Sequence, residues 1–341
     1  MHLVALVESE DHVCCRYRLA AFRSLLAAAG HVLEIRPLPR SWLAWVAARR
    51  DIARADAIIL QRKLLPRIVT AFLRRQARRL IFDFDDAVWL RDSYATKGFN
   101  DPRRGRRFRA VVRAADLVVA GNEYLAAEAR LWASPDKVTI VPTCVEMSRY
   151  SPRPMTDSIA GPVRLVWVGS SSTLRGLERF TPTLSAIGRA VPAARLKLIC
   201  DRFIDIPGLP VDRCRWDEQT EATDIRHADI GIGWVPDDPW SRGKCGLKVL
   251  QYQAAGLPVV ANPVGVQADL VRDGVTGFQA VTTEQWVAAV QRLAADAGLR
   301  DRLGAAGRRE VEASYSVEAG AARWATALAK FPALPRLRES G

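Results

Sequence analysis

The segment from Gly231 to Asn262 has the residue types and spacing of an anion-binding site. A short apolar run is followed by a polar loop, a predicted helix over residues 244–255 that ends at a glycine, and a second apolar run, LPVVA. A glycine-bearing loop that opens a helix after a strand presents backbone N–H groups and the positive end of the helix dipole. The pattern predicts a phosphate or diphosphate site to which Lys244 and Lys248 add positive charge. An ordinary helix in an α/β domain is the alternative.

A second candidate site is the acidic run IFDFDDAVW, which places Asp83, Asp85 and Asp86 at the end of a predicted strand. Ligands of α/β sheets bind beyond the carboxyl ends of the strands. On a strand, Asp83 and Asp85 share one side and Asp86 points away, which argues against a single divalent-metal site. The alternative to a substrate contact is helix capping together with a buried salt bridge to an arginine.

These residues have to be positioned by alternating strands and helices. In the first half, apolar runs predict strands at residues 3–7, 32–35, 57–60, 80–84, 117–120 and 138–141, with helices around 17–29, 42–50, 66–79, 103–115 and 123–133. In the second half, strands are predicted at 165–168, 196–200, 230–234, 259–261 and 278–281, with helices at 174–189, 219–227, 244–255, 284–296, 299–313 and 317–329. This alternation predicts doubly wound α/β sheets. A Pro- and Ser-rich stretch at residues 148–162 predicts a linker between two domains.

Composition limits the class of protein. The chain has 341 residues, 49% of them hydrophobic, which suffices for two compact domains. We expect a cytoplasmic protein, since no apolar run approaches the roughly 18 residues that cross a bilayer and the N-terminal run is too short for a signal peptide. The six cysteines and four histidines are scattered without metal-ligand spacing, so we expect reduced thiols, no disulfide framework and no metal site.

Positive charge is concentrated in the first half of the chain. The net charge is +13, and the predicted helices at 66–79 and 103–115 each divide into an apolar face and an arginine face. Arg106, Arg109 and Arg113 form the cationic side of the second helix. In the first helix the cationic side consists of arginines 67, 74, 75, 78 and 79, and the apolar face that docks on the core consists of Ile68, Val69, Phe72 and Leu73. These faces are either ordinary solvated surfaces or contacts for an anionic partner, for which a phospholipid leaflet fits better than nucleic acid.

The run KVLQYQAAGLPVVANPVG, followed by LVRDGVTGF, resembles the donor-nucleotide-binding segment of retaining glycosyltransferases of family 4. That family has the GT-B fold, in which two doubly wound Rossmann-like domains face a central cleft. Two carboxylates of the family are replaced here by Gly243 and Gln251. The resemblance implies an acceptor-side domain over residues 1–150, a donor-side domain over 160–314, and a last helix at 315–330 crossing back to the first domain.

The resemblance also implies roles for individual residues of this chain. Asp85, Arg175 and Lys248 are the predicted catalytic residues, with Arg175 in place of a family lysine. A second group is expected to bind the donor through backbone amides, hydroxyls and polar side chains: Gly169, Ser170, Ser171, Asp237, Asp238, Gly243, Lys244, Cys245, Gly246 and Gln251. A third group is expected on the acceptor side: Arg16, Asp83, Asp86 and Asn122.

The expected function is therefore a retaining, metal-independent glycosyltransferase. It would move a sugar from a nucleoside diphosphate sugar to a hydroxyl of a saccharide or lipid-linked acceptor, without a further cofactor, in surface polysaccharide or glycolipid synthesis. An anionic membrane surface is a candidate partner, which would place the protein peripherally at the inner face of the cell membrane; nucleic acid is not expected. The alternatives are a GT-B nucleotide-sugar 2-epimerase, a non-catalytic nucleotide-sugar-binding scaffold and, from charge alone, an RNA-binding protein.

Overall fold

The computed structural model describes residues 1–153 and 161–331, and the chain forms two compact units. The first unit comprises Met1–Arg91, Lys97–Thr143 and the residues from Val317 onward. The second comprises Cys144–Ser316 together with the short segment Asp92–Thr96. Residues 154–160 of the predicted linker and the tail after Phe331 lie outside the described residues.

The first unit is built on a parallel sheet of six strands in the order β2-β1-β3-β4-β5-β6 within the described residues. Its strands are β1 His2–Val7, β2 Val32–Pro37, β3 Ala57–Gln61, β4 Leu80–Phe84, β5 Leu117–Ala120 and β6 Val138–Ile140. β3, β4 and β5 are buried along their whole length, because helices cover both faces of a parallel sheet. The apolar runs of the sequence therefore predicted the positions of the strands correctly.

Helices of the first unit follow the strands in sequence. They are α1 Val13–Arg18, α2 Arg23–Ala28, α3 Trp42–Arg54, α4 Arg67–Gln76, α5 Pro102–Ala114, α6 Glu123–Arg130 and, from the end of the chain, α13 Val317–Ala329. The predicted helix at 17–29 is in fact α1 and α2 joined by a 3-10 turn. The predicted arginine face of α4 is also partly wrong. Arg79 lies beyond the helix and is buried, whereas Ile68, assigned to the buried face, is 72% exposed.

The second unit contains another parallel sheet of six strands among the described residues, in the order β12-β11-β10-β7-β8-β9. Its strands are β7 Val163–Val168, β8 Ala194–Cys200, β9 Val211–Arg215, β10 Ile230–Gly233, β11 Val259–Ala261 and β12 Gly277–Gln279. The sequence analysis missed β9, whose residues VDRCR contain no apolar run. This strand lies at the edge of the sheet and is only partly buried, so its sequence is not selected for a core.

Helices of the second unit pack around an apolar core that includes Trp167, Phe180 and Trp286. They are α7 Ser171–Ala190, α8 Glu221–Arg226, α9 Leu247–Ala254, α10 Gln267–Leu270, α11 Thr283–Ala295 and α12 Ala297–Ser314. The sequence predicted that this helix begins at residue 244, but α9 begins at Leu247. Gly246 adopts a left-handed conformation with φ of 69° and changes the chain direction there. Lys244 therefore lies before the helix.

Candidate functional site

The two loops that the sequence singled out in the second unit meet at one edge of its sheet. β7 and β10 are adjacent parallel strands, so the loops after their carboxyl ends are neighbours. Lys248, in the first turn of α9, places its Nζ 3.9 Å from the ring centroid of Trp167 and 3.4 Å from Oγ1 of Thr173. Trp167 lies on β7 and Thr173 in the first turn of α7, so the ammonium connects both loops.

The surroundings of Lys248 disfavour its charged form in the free protein. Desolvation of the partly buried side chain is the main cause, and the nearby charge of Lys244 adds to it, so that the pKa of Lys248 is lowered to about 7. Lys244 itself lies 5.1 Å from the ring centroid of Trp240. Two cations beside the first turn of a helix, with little opposing charge, form a site that an anion would stabilise.

Packing fixes the backbone at the end of β7. A Cβ added to Gly169 would lie 2.3 Å from the Trp167 ring and 2.7 Å from Oγ1 of Thr173, so only glycine fits there. The buried hydroxyl of Tyr252, on α9, accepts a hydrogen bond from the Val168 N–H at 2.9 Å. α9 therefore holds both the ammonium of Lys248 and the strand end against which it lies.

Backbone amides after β7 are not arranged as the sequence analysis expected. The N–H of Gly169 donates to Ile199, that of Ser170 to Oγ1 of Thr173, and that of Ser171 to the carboxylate of Asp201 at 2.6 Å. All three expected donors thus have partners within the protein, and their contact with a diphosphate stays a prediction. The hydroxyls of Ser170 and Ser172 are 2.8 Å apart at the surface.

At α9 the backbone geometry agrees better with an anion site. Leu250 is the first residue whose N–H bonds within the helix, to the carbonyl of Gly246 at 3.1 Å. The N–H groups of Leu247 and Lys248 therefore precede the first intrahelical bond. Among the other expected donor residues, Gly243 and Lys244 donate their N–H groups to Trp240 and Ser241. Cys245 is partly buried before the helix, and its sulfur lies 4.0 Å from the carbonyl of Gly243.

The two aspartates of the polar loop have structural partners. Asp238 accepts hydrogen bonds from the Ser241 N–H at 2.7 Å and from the hydroxyl of Ser93 at 3.2 Å. Asp237 forms an exposed ion pair with Arg242 at 2.8 Å. The aspartates thus shape the loop around residues 237–243, with Ser93 contributed by the short segment Asp92–Thr96.

Arg175 and Gln251 differ in exposure: Arg175 lies at the surface and Gln251 is buried. The guanidinium of Arg175 is exposed and lies 5.9 Å from the ring centroid of Tyr94, beside Arg179 at 4.8 Å from the same ring. Gln251 is 2% exposed, and its Nε2 donates to the hydroxyl of Tyr150 at 3.1 Å. The expected contact between Gln251 and a substrate is not available in this arrangement, because its amide is enclosed in the protein.

In the first unit, Asp83 has a structural role rather than the acceptor-side role that we expected. The carboxylate is fully buried and forms a bidentate ion pair with Arg18, whose Nη1 also donates to the Val141 carbonyl at 2.5 Å. The pair joins β4 to α1. This is the buried salt bridge to an arginine that the sequence left open as the alternative.

Asp85 and Asp86 share an arginine that the sequence analysis did not identify. Arg62, at the carboxyl end of β3, lies 2.7 Å from Asp86 and 3.5 Å from Asp85, and it also donates to the sulfur of Cys14. Its φ is 56°, a conformation that is uncommon for residues other than glycine and that concentrates at functional sites. Burial acts to lower the pKa of Arg62, but the charges of Asp85 and Asp86 outweigh it, so that the pKa is raised and the guanidinium stays charged.

Two further acceptor-side predictions fall on helix ends. Asn122 is buried and its side chain accepts a hydrogen bond from the Leu125 N–H at 2.9 Å, which caps α6. Arg16 lies partly buried on α1, with its guanidinium 5.4 Å from the ring centroid of Tyr17. The structure thus gives Asn122 an architectural role.

Several contributors to the site had no clear sequence signal. Trp167 and Thr173 contact Lys248, Asp201 holds the Ser171 amide, and Tyr94 and Ser93 come from a segment far away along the chain. Of these residues, only Trp167 could have been identified as a site residue from the sequence, because it lies at the end of a predicted strand. Within the described ranges, no group of three or more His, Cys, Asp or Glu residues could hold a metal ion, and no helix there is both long and apolar enough to span a bilayer.

Residues 239–310, which include α9 and its preceding loop, match the family model described as glycosyl transferases group 1. With two parallel six-stranded sheets, the described part of the chain has the GT-B fold, and the family match covers residues 239–310 of its 341 residues. The resemblance and fold predicted from the sequence are confirmed at this level, while the assignment to family 4 stays a prediction.

Individual proteins similar to this chain include a D-inositol 3-phosphate glycosyltransferase of Actinosynnema mirum, 27% identical over 222 residues. That match covers 57% of this chain and 52% of the relative, so it spans about half the relative's length. A sucrose-phosphate synthase from Thermosynechococcus elongatus superimposes with a TM-score of 0.74 at 19% identity, covering 96% of this chain and 98% of that structure. Anabaena HepE in complex with UDP-glucose superimposes with a TM-score of 0.67 at 14% identity, covering 97% of this chain and 100% of HepE.

Proposed function

We propose that this protein is a retaining, metal-independent glycosyltransferase of family 4 that transfers a sugar from a nucleoside diphosphate sugar to a hydroxyl acceptor. The observation that carries the proposal is the position of Lys248, whose ammonium lies against Trp167 and Thr173 beside the first turn of α9. The group 1 match includes this segment, and HepE, which shares the fold, was solved with UDP-glucose. Both facts support a nucleotide-sugar donor here.

The proposed chemistry is electrostatic. When the bond between the sugar and the diphosphate breaks, negative charge develops on the leaving diphosphate. Lys248, Lys244 and the N–H groups that open α9 would stabilise that charge, and a single preorganised donor of this kind contributes about 2.7–4 kcal/mol to a transition state. The low pKa of Lys248 in the free protein means that diphosphate binding would bring a proton to this amine.

Other residues have supporting roles in the proposal. Arg175 would contact the distal part of the donor, since its guanidinium is exposed on the second turn of α7. Asp85, held by Arg62, is the proposed contact for the donor sugar or the acceptor hydroxyl. No enzymic nucleophile is proposed.

Nucleotide binding tests the proposal directly. The melting temperature of the purified protein is measured with UDP, GDP, ADP and dTDP, with and without EDTA. A ligand at a hundred times its Kd adds about 2.7 kcal/mol to the free energy of unfolding, so the shift with the correct nucleotide should be evident. A shift that EDTA leaves intact supports metal-independent donor binding, whereas no shift with any of the four nucleotides would contradict the proposal.

A matched pair of variants tests the role assigned to Lys248. Lys248→Ala should remove most of the nucleotide-induced shift and lower sugar transfer by about 100-fold or more, because a preorganised charge is lost. Lys137→Ala removes an exposed lysine of the first unit and should change neither measurement. Wild-type transfer by Lys248→Ala would disprove the assignment.

We further propose that the acceptor is a saccharide or lipid-linked saccharide of surface polysaccharide or glycolipid synthesis, and that the protein works peripherally at the inner face of the cell membrane. The support is the net charge of +13 and the concentration of arginine in the first half of the chain. Lipid-linked products from radiolabelled donor incubated with membranes would support this acceptor class; transfer only to soluble sugars would contradict it.

A further inference from the structure

An apolar surface is exposed on two neighbouring helices of the first unit. Trp42, Leu43 and Val46 on α3 are 51%, 80% and 37% exposed, and Ile68 on α4 is 72% exposed. The two helices adjoin each other here, since the rings of Trp42 and Phe72 meet edge to face with centroids 5.1 Å apart. We call these five residues the α3–α4 patch.

Arginines continue the patch along both helices. Arg49 and Arg50 lie two helical turns after Trp42 and Leu43, and Arg75 lies two turns after Ile68, so they share the face of the apolar residues. Arg67 precedes Ile68 directly. All four arginines are exposed, and none forms an ion pair within residues 1–153 and 161–331.

Acidic residues are nearly absent from these helices. α4 contains none, and the single acid of α3, Asp51, is engaged by Arg36 at 2.8 Å. An exposed aromatic and aliphatic cluster rimmed by uncompensated arginines has the composition of a surface that lies in the headgroup region of an anionic bilayer. Arginine side chains there bury their aliphatic stems and keep their guanidinium groups at the lipid phosphates.

Other occupants fit the patch less well. A second copy of this chain, related by twofold symmetry, would bring arginines against arginines, because each copy contributes the same patch to such a contact. Nucleic acid would use the arginines but would leave the aliphatic side chains of Leu43 and Ile68 without a partner.

We propose that the α3–α4 patch is a membrane-docking surface that inserts Trp42, Leu43 and Ile68 among anionic phospholipid headgroups. This inference rests on the proposed peripheral location and specifies the part of the protein that makes the contact. It differs from the sequence prediction, which assigned the membrane contact to arginine faces alone and placed Ile68 in the core.

Sedimentation with vesicles tests the proposal on the full chain. Vesicles of phosphatidylcholine alone are compared with vesicles that also contain phosphatidylglycerol, at low and at physiological salt. The wild type should pellet with the anionic vesicles and release partly as salt is added. Each surface arginine contributes about 1 kcal/mol, so Arg67→Gln/Arg75→Gln should lower vesicle affinity about 30-fold. Leu43→Gln and Ile68→Gln should each lower it by at least tenfold through lost insertion.

Matched controls separate the patch from general charge and general apolarity. Arg103→Gln/Arg106→Gln removes the same charge from exposed positions of α5, and Val281→Gln removes an apolar side chain that is 70% exposed in the second unit. The Val281 control should bind vesicles like the wild type, and the α5 control should lose less affinity than the α4 pair. Melting temperatures of all variants establish that they fold.

Three results would overturn the proposal. The first is no pelleting with anionic vesicles at low salt, and the second is an equal loss of vesicle affinity from the α4 and α5 arginine substitutions. The third is a wild-type oligomer that Leu43→Gln dissociates, because that result would identify a second copy of the chain as the occupant of the patch. The nucleotide-induced melting shift is measured on the same samples. If the wild type binds vesicles but shows no nucleotide-induced shift, the result would contradict the proposed transferase function and leave the proposed docking surface unaffected.

Discussion

At the scale of single residues, Lys248 combines a glycine-loop motif with a side-chain environment that the motif does not reveal. Its position in the first turn of a helix after a glycine loop is visible in the sequence. The contact with Trp167 and the lowered pKa depend on side chains that the fold brings there. This residue therefore gives the most direct link between the structure and the proposed chemistry.

The pKa of Lys248 predicts opposite pH dependences for stability and for nucleotide binding. Its folded pKa of about 7 lies below the roughly 10.4 of an unfolded lysine, so this group makes folding more favourable as pH rises between those values.

Nucleotide binding needs the ammonium form, so the Kd for UDP should rise up to about tenfold per pH unit above pH 7. Calorimetric titrations between about pH 6 and pH 9 measure this rise. Lys248→Met should bind more weakly with a flat profile; the same slope in both proteins would exclude Lys248 as the titrating group.

Gly169 is a second residue whose identity is dictated by close contact. In Gly169→Ala the new methyl group would overlap the Trp167 ring, so we expect a loss of about 1–3 kcal/mol in the free energy of unfolding and a weaker nucleotide-induced shift. Gly105 on α5 has nothing within 4 Å of the position of a Cβ, so Gly105→Ala should be neutral or stabilising by about 0.5–1 kcal/mol. Urea denaturation measures both, and equal effects would contradict the packing argument.

At the scale of secondary-structure elements, buried pairs connect helices to the sheet edges. Arg18 and Asp83 join α1 to β4 in the first unit, and the hydroxyl of Tyr252 joins α9 to β7 in the second. Sequence periodicity predicted the elements on both sides of these contacts. It could not predict the contacts, because Arg18 and Asp83 are far apart along the chain and each has the pattern of an ordinary polar residue.

Two aspartates that the sequence analysis treated alike should differ strongly on substitution. Asp83→Asn leaves the buried Arg18 without a counter-charge and should cost about 3–5 kcal/mol in unfolding free energy. Asp237→Asn breaks a solvent-exposed pair with Arg242 and should cost less than about 1 kcal/mol. Chemical denaturation of both variants measures the difference; a small effect of Asp83→Asn would show that the buried pair adds little stability.

At the scale of the whole molecule, the chain does not divide into units at a single point. The segment Asp92–Thr96 belongs to the second unit, and α13 at the end of the chain belongs to the first. The sequence analysis predicted the return of the last helix from a family resemblance, but it contained no signal for the short segment. Ser93 and Tyr94 become part of the second unit through contacts with Asp238 and Arg179.

Packing of α13 predicts a stabilising role for the end of the chain. Leu328 is 1% exposed on this helix, so Leu328→Ala should lower the unfolding free energy by about 2–5 kcal/mol. Leu131 is 67% exposed after α6, so Leu131→Ala should change it by less than about 0.5 kcal/mol. Thermal and urea unfolding provide the comparison, and a neutral Leu328→Ala would show that α13 is not integral to the first unit.

The sequence by itself determined the α/β class, eleven of the strand positions in outline and the glycine loop before α9. These features follow from apolar runs and from glycine, whose effects act within a few neighbouring residues. Tertiary structure decided the rest. It paired Asp83 with Arg18, buried Gln251 and gave the amides after β7 hydrogen-bond partners within the protein. It also added β9 at the sheet edge and exposed Ile68 beside Trp42. Burial, desolvation and ion pairing depend on side chains that are distant in sequence, so only the folded chain defines them.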